Sequence, residues 1–374
     1  MKQLYKLSSL TLAICLAAGS LSKTHAQDVS ELLKSGPADA TKLAKAYFSP
    51  AFKGFGFGMN SAWFNSAKAK NLGKFDLRIQ ATGAFVPTKD QSVTLSSLGL
   101  SNKVGYQAGA TTPTLFGKDE TGAEIFVKDD NGNDLRDENG NKVSFNMPNG
   151  TGFNIVPSPQ VQLTVGLIKH TEVSVRYTPK VKGDDFGSVQ ALGFGVKHEI
   201  TKYLFPGKLD KVIPIDVALA FGYNQLKYNY NIKMADQLNE DPSTAGQDLK
   251  QRVEAKFSGY SIDAIVSKKL SVFTPFASIG YNSAKTELGV LGKYTFQSGY
   301  NYLPSPPAPP KTPNTASPKY DSATDPININ QKDISGLRAN VGFSLHLLFF
   351  RLYGAYSIGE YQAVTAGIGF GIGK

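Results

Sequence analysis

Hydrophobic and polar residues alternate along most of this chain, and the clearest example closes it. In Ala363–Lys374 (AVTAGIGFGIGK), Val364, Ala366, Ile368, Phe370 and Ile372 fall on one side. Thr365, Gly367, Gly369, Gly371 and Gly373 fall on the other. A period of two over this length is that of a β-strand with one apolar face. About ten residues is also what a tilted strand needs to cross a bilayer. The pattern recurs at Gly54–Met59 (GFGFGM) and Leu192–Val196 (LGFGV). Glycines at every second place exclude a phosphate-binding G-x-G-x-x-G turn into a helix. The side away from the apolar one is small or polar, which suits lipid outside and a lumen within. The predicted fold class is all-β: an antiparallel transmembrane β-barrel with a short N-terminal helical segment.

Twelve strands follow from this alternation, and the connection lengths also admit ten or fourteen. They are Phe52–Phe64, Lys74–Val86, Ser92–Leu100, Gln160–Ile168, Glu172–Pro179 and Ser188–His198. Then come Pro214–Tyr230, Glu254–Ser267, a strand from Val272 extending as far as Phe296, Gly336–Leu347, Phe350–Ile358 and the last. Tight connections at 87–91, 169–171, 268–270 and 348–349 alternate with long ones at 101–157, 231–253 and 297–335. Short turns belong in the periplasm and long loops outside. Twelve strands keep that alternation and leave both termini in the periplasm; omitting only the third puts the N-terminus outside. Trp63, Tyr177, Tyr223, Tyr281 and Tyr356 would supply aromatic girdles at the interfaces.

Charges on the inward side change the picture most. A mid-plane Arg or Lys facing lipid costs about 2–4 kcal/mol, so charges every second residue must face inward. The lumen-lining candidates are Asp76, Arg78, Glu172, Arg176, Lys197, Asp216, Asp263 and Arg338. Their mixed signs fit salt bridges that fill the barrel, or a selectivity lining for a polar solute.

Three stretches depart from alternation. Asp28–Tyr47 has helical spacing, with Pro37 suited to a first helical position after Gly36. Residues 27–50 would be a periplasmic lead-in or a plug, and 51–374 the barrel. Gly54, Gly56 and Gly58 on the first strand would lie beside Gly367, Gly369 and Gly371 on the last. That bare seam leaves room for a helix, or merely relieves crowding. In the insert Ser101–Val156 a unit of the form basic-Asp-acidic-Thr/Asn-Gly recurs at Lys118, Lys128 and Arg136, as in hairpin turns closed by glycine. Asp129, Asn131 and Asn133 alternate as in a calcium loop, but Asp134 stands where glycine belongs and no glutamate closes it. Finally, 297–335 holds Pro304, Pro306, Pro307, Pro309, Pro310, Pro313 and Pro318, too dense a run for a ladder.

Composition narrows the function classes. Residues 1–26 read as a secretory signal, with Lys2 and Lys6, an apolar core at Leu10–Ala18 and a Thr24-His25-Ala26 cleavage site. The only cysteine, Cys15, lies in that core behind Ile14, not behind the small residue a lipobox needs. The mature chain would then hold no disulfide, thiol nucleophile or cysteine-bound zinc. The formal charge of +10 is spread along the chain and does not mark a nucleic-acid binder. No long apolar run follows the signal, so helical membrane spans are not expected.

His170, His198 and His346 share no metal-ligand spacing. Ser344 and His346 face one side two residues apart and resemble, in reversed order, the His-x-Ser pair of outer-membrane phospholipases. No orienting group accompanies them, and a nucleophile, a base and an orienter are all required. No enzyme activity, cofactor or metal site is expected.

Two segments, LLKSGPADATKLAKAYFSPAFKGFGFGMNSAWF and PSPQVQLTVGLIKHTEVSVRYTPK, carry a resemblance to an uncharacterised family of Bacteroidota outer-membrane barrel proteins. It implies location and fold and brings no activity. More distantly, the layout resembles the outer-membrane long-chain fatty acid transporter family, in which an N-terminal segment plugs a fourteen-stranded barrel. Ser49-Pro50-Ala51 stands where that family usually has Asn-Pro-Ala. The expected function is an outer-membrane barrel admitting or binding a small hydrophobic solute through a plugged lumen. The alternative is a structural or surface-interaction protein acting through its outer loops. Outer-membrane lipid and a small hydrophobic solute are the expected partners, with no nucleic acid; the sequence names no protein partner.

Overall fold

The computed structural model describes residues 32–128, 132–136, 141–183, 187–205, 215–302 and 313–372, with side chains for all but 299–317 and 372. Ten antiparallel strands close into a barrel. In chain order they are β1 (Phe75–Phe85), β2 (Ile155–Gly166), β3 (Thr171–Gly183), β4 (Gly187–Glu199) and β5 (Asp216–Asn231). The second half is β6 (Arg252–Ser267), β7 (Phe273–Leu291), β8 (Ile327–Leu347), β9 (Phe350–Ile358) and β10 (Gln362–Ile372). Each pairs with the next, and β1 closes the ring on β10 from Phe75↔Ile372 to Phe85↔Gln362. On β1, Leu77 and Ile79 are exposed, while Asp76, Arg78, Gln80 and Thr82 between them are buried. The same alternation gives the wall an apolar outer belt and a polar inner face.

Two of the twelve expected strands are not in the wall. Phe52–Phe64 is not a strand: a 24-residue helix, α1 (Pro37–Asn60), runs through Phe52 to Asn60. Its surroundings explain why a period of two belongs to a helix here. Two residues turn a helix by about 200°, so Gly54 and Gly58 share one side and Gly56 takes the other. A Cβ at Gly54 would lie 2.5 Å from Val156 Cγ2, and one at Gly56 2.5 Å from Ala284 Cβ. The helix is enclosed on opposite sides by β2 and β7, so only glycine fits on both. Intrinsic propensity opposes this helix, because each glycine costs about 1 kcal/mol against alanine and the interior Pro50 about 3 kcal/mol. Contact with the wall must outweigh that. Trp63 consequently leaves the expected girdle and is buried in the lumen.

Ser92–Leu100 is likewise outside the wall. Ser92–Thr94 pairs with Thr111–Pro113, and Leu95–Leu98 is a 3-10 turn. Both belong to the insert between β1 and β2, which folds over the long-loop end. The two lost strands preserve the even count, so tight turns still sit together at 167–170, 268–272 and 348–349. The expected one at 87–91 instead opens the insert at the opposite end, where Asp90 meets Tyr361. The first described residues, expected as a periplasmic lead-in or a plug, also begin at that opposite end. Leu33, Leu43 and Tyr47 pack with Leu95, Ile125 and Ile329 at the long-loop end. From there α1 descends inside the barrel, and residues 61–74 continue down to β1.

The proline-rich connection also differs. Lys293–Tyr302 pairs with Pro313–Thr324 as a two-stranded hairpin, with Pro318 opposite Tyr300 and Pro313 opposite Tyr302. The ladder slips between Gln297 and Gly299 and again between Tyr300 and Tyr302, the irregularity that edge strands allow prolines. Strand β8 starts at Ile327, well before the expected Gly336. The signal segment, Asp129, Asn131 and the prolines from Pro304 to Pro310 lie outside the described residues.

Candidate functional site

The lower lumen, toward the tight turns, is organised around the end of α1. A helix terminus leaves its last carbonyls without intrahelical partners, and here the wall supplies them. Arg176 on β3 donates to Met59 O at 2.6 Å and Ser61 O at 2.9 Å. Arg338 on β8 donates to Asn60 O at 2.9 Å. Arg78 on β1 donates to Ala62 O at 3.2 Å and also to Trp63 O. Gln160 reaches Gly58 O at 2.8 Å, Asn224 Met59 O at 2.9 Å, and Gln162 Trp63 O at 2.9 Å. Positive groups at the negative end of a helix also complement its dipole. Arg176 further lies over the Trp63 ring, 3.8 Å from its centroid.

Below this clamp the descending segment remains held. Lys197 Nζ donates to Ser66 O and to Lys68 O at 3.0 Å, and pairs with Glu172 at 2.9 Å. Glu172 accepts from Lys70 N at 3.0 Å, and Glu199 from Ala69 N at 2.9 Å. Asp263 pairs with Arg338 at 3.0 Å, and Asp76 with Arg351 at 3.2 Å. Asp216 is only partly buried and pairs with Lys68 at 3.3 Å. The eight inward charges thus divide. Asp76, Glu172, Lys197, Asp216, Asp263 and Arg338 form ion pairs, whereas Arg78 and Arg176 have no carboxylate partner among the described residues and donate to backbone carbonyls, Arg176 also to Gln162 Oε1 at 2.9 Å. Arg351, Tyr353 and Glu199 were missed by sequence reasoning. For Arg351 and Tyr353 the signal was present, since they alternate with Phe350 and Leu352. Glu199 lies one residue beyond the expected strand end at His198, and the observed strand includes it.

Ser344 and His346 face a hollow of about 40 Å³ beside Arg78, Asp76 and Tyr353. Ser344 Oγ and His346 Nδ1 have no hydrogen-bond partner, so the two are not joined. His198 instead shares a 2.9 Å hydrogen bond with Thr171. In the insert, Asp134 pairs with Lys142 at 2.7 Å, and that hydrogen bond holds its carboxyl below the usual range.

The upper lumen is different in kind. Between α1 and the wall lies a cavity of about 270 Å³, faced by Phe48, Phe52, Phe55 and Met59 from the helix and Val189, Leu226 and Phe257 from the wall. Its floor carries Gln160, Arg176 and Asn224. Each of the three also donates to the helix end, at 2.8 Å, 2.6 Å and 2.9 Å respectively. A water's share of liquid is about 30 Å³, so this space accommodates on the order of ten non-hydrogen atoms.

A model of a family of unknown function, DUF6588, matches residues 1–372. The chain belongs to that family. No functionally curated protein matches it. Among solved structures, it is similar to the translocator domain of the autotransporter NalP from Neisseria meningitidis, at 9% identity and a TM-score of 0.29 over 82% of this chain and 90% of that one. It is also similar to the outer-membrane protease OmpT from Escherichia coli, at 8% identity and a TM-score of 0.30 over 80% and 97%. A third is the Pseudomonas putida toluene transporter TodX, at 8% identity and a TM-score of 0.22 over 82% and 91%. Likenesses so low carry no argument about activity or location.

Proposed function

We propose that the protein is a plugged outer-membrane barrel that binds a small apolar solute beside its plug. The signal segment sends the chain across the inner membrane, and the tight turns face the periplasm. The observation that carries this reading is the aromatic and aliphatic cavity between α1 and the wall, closed below by a polar clamp. Binding pockets are typically concave, largely apolar and furnished with a few placed polar groups, and this one has that make-up. Helix α1 with residues 61–74 is the plug. A ten-stranded lumen has little spare width, and a helix about 10 Å across occupies most of it.

Two measurements test the proposal. Planar-bilayer recording of the intact protein is expected to show no large steady conductance; an open-pore trace would defeat the plug. Mass spectrometry of protein purified in mild detergent is expected to find a co-purifying apolar molecule of about ten non-hydrogen atoms. An empty cavity that also takes up no added alkane would defeat the solute.

A second reading has its own observation. The insert between β1 and β2 and the 293–324 hairpin stand over the long-loop end, which suits a surface that meets a partner. Removing the hairpin separates the readings. Unchanged solute uptake with lost surface binding would favour the second.

A further inference from the structure

The barrel wall is not fully zipped. Strands β2 and β3 pair only from Gly166↔Glu172 to Gln162↔Arg176, although both continue upward, β2 to Ile155 and β3 to Gly183. On its other side β2 pairs with β1 all the way to Ile155. The sequence explains why only one edge is open. Gly166 N donates to Lys74 O on the β1 side, and Leu167 N donates to Thr171 O on the β3 side. Strand alternation therefore aims the backbone donors of odd-numbered β2 residues at β3. Pro157 and Pro159 occupy two of those positions and have no N–H to give. Opposite them, β3 carries Pro179 at a bulge, where its ladder with β4 slips between Thr178 and Val181.

This gap lies against the apolar cavity. The cavity is faced by Pro157, Pro159 and Thr178, but also by Val161, Tyr177 and Leu192. The last three are exposed on the outer face, at 39%, 53% and 58%. Inner and outer residues can border one space only where it passes through the wall. A residue climbs about 2.5 Å along a strand rising about 3.3 Å and tilted about 40°. The unpaired stretch from Val161 to Pro157 then lies about 13 to 23 Å above Gly166, in the upper half of an apolar band about 25 Å tall. Open backbone is tolerated at such depth only beside protein or a cavity.

We infer that β2 and β3 frame a lateral slot through which an apolar chain passes between the outer-leaflet hydrocarbon and the cavity. This rests on the solute-binding reading and adds the route. The cargo is an aliphatic or aromatic group of about ten carbons, arriving from within the membrane as a free molecule or as a lipid tail.

Trp63, the only tryptophan in the chain, stacks on Arg176 at the cavity floor and reports on the space. The mature chain has no other cysteine to interfere with a cross-link. In V161C/Y177C the new thiols occupy the next rung above Gln162↔Arg176, and their disulfide closes the mouth. A bulky maleimide on V161C blocks it without a cross-link. In lipid nanodiscs, 1-bromodecane is expected to quench Trp63 saturably in the wild type. The quenching rate should fall at least tenfold in the oxidised or blocked proteins and recover on reduction of the disulfide. Quenching by phosphatidylcholine brominated on its acyl chains would assign the cargo to a lipid tail; quenching by bromodecane alone would assign it to a free molecule. Equal rates in oxidised and reduced protein would overturn the slot and leave the cavity standing. Absence of quenching in every form would overturn the cavity reading itself.

Discussion

The two halves of the lumen hold the same chain segment by opposite means. Below Met59 the segment is gripped by directional contacts: three arginines, three amides and a ring of ion pairs meet its carbonyls and amide nitrogens. Above, α1 is held by apolar contact with the wall and insert, and a cavity remains beside it. Buried polar contacts are costly when half made, so the lower region should change all at once. Apolar contacts lose strength by degrees as volume changes, so the upper region can yield locally. Tightness below and slack above is what a barrel needs if it seals at one end and accommodates a guest at the other.

The sharpest way to break this contrast is R176M/R338M. It leaves Asp263 buried without its 3.0 Å partner and strips the end of α1 of the arginines that meet Met59, Asn60 and Ser61. Breaking a buried pair costs about 3–5 kcal/mol. Trypsin should then cut at Lys68 and Lys70, and steady conductance should appear in bilayer recordings. Resistance to trypsin and a silent bilayer would show that the upper packing suffices alone.

F52A attacks the other half. Truncating a core phenylalanine costs about 3–5 kcal/mol, and the lower figure is expected where the ring already borders empty space. The urea midpoint should fall and longer alkanes should bind, while Trp63 fluorescence stays fixed. A shifted Trp63 spectrum would mean that the halves are coupled. Next comes G56L, whose side chain must displace Ala284; overpacking of this kind costs about 1–3 kcal/mol. Its expected signature is a lower unfolding temperature on the heat-shift gel with the clamp still protected from trypsin.

The smallest effect is expected at K142M, far from either half. Lys142 lowers the Asp134 pKa, so the pair's contribution is present above the ordinary carboxyl value of 3.8 and fades as pH falls through the lowered one. Protease sensitivity of the 124–147 hairpin should rise below pH 4 in the wild type. In K142M that pH step should shrink, with no measurable change in the barrel.

The wall was legible because each spanning strand alternates on one rule: lipid on one side, lumen on the other. β1 is the plainest case, and its inward charges were readable for the same reason. GFGFGM misled because a helix enclosed on opposite sides needs glycine on both, and that mimics a strand's period. Ser92–Leu100 misled because a short alternating run also suits a surface hairpin. The two errors cancelled in parity, so three of the four expected tight turns kept their end while the count fell to ten and 87–91 moved to the opposite one. The clamp was not legible, since it depends on what lies opposite each arginine. Alternation places a side chain inside without saying what it will meet. The prolines at 157 and 159 were visible, yet only the pairing partner shows which edge they leave open.

The threading of α1 has a mechanical corollary. The segment is tied to β1 at one end and bears an apolar knot, Leu33 with Leu43 and Tyr47, at the other. Tension applied from beneath cannot slide it out freely, because that bulky head would jam against the narrower bore. Like a cotter pin with its legs spread, it stays until the head is compressed or the ring opens.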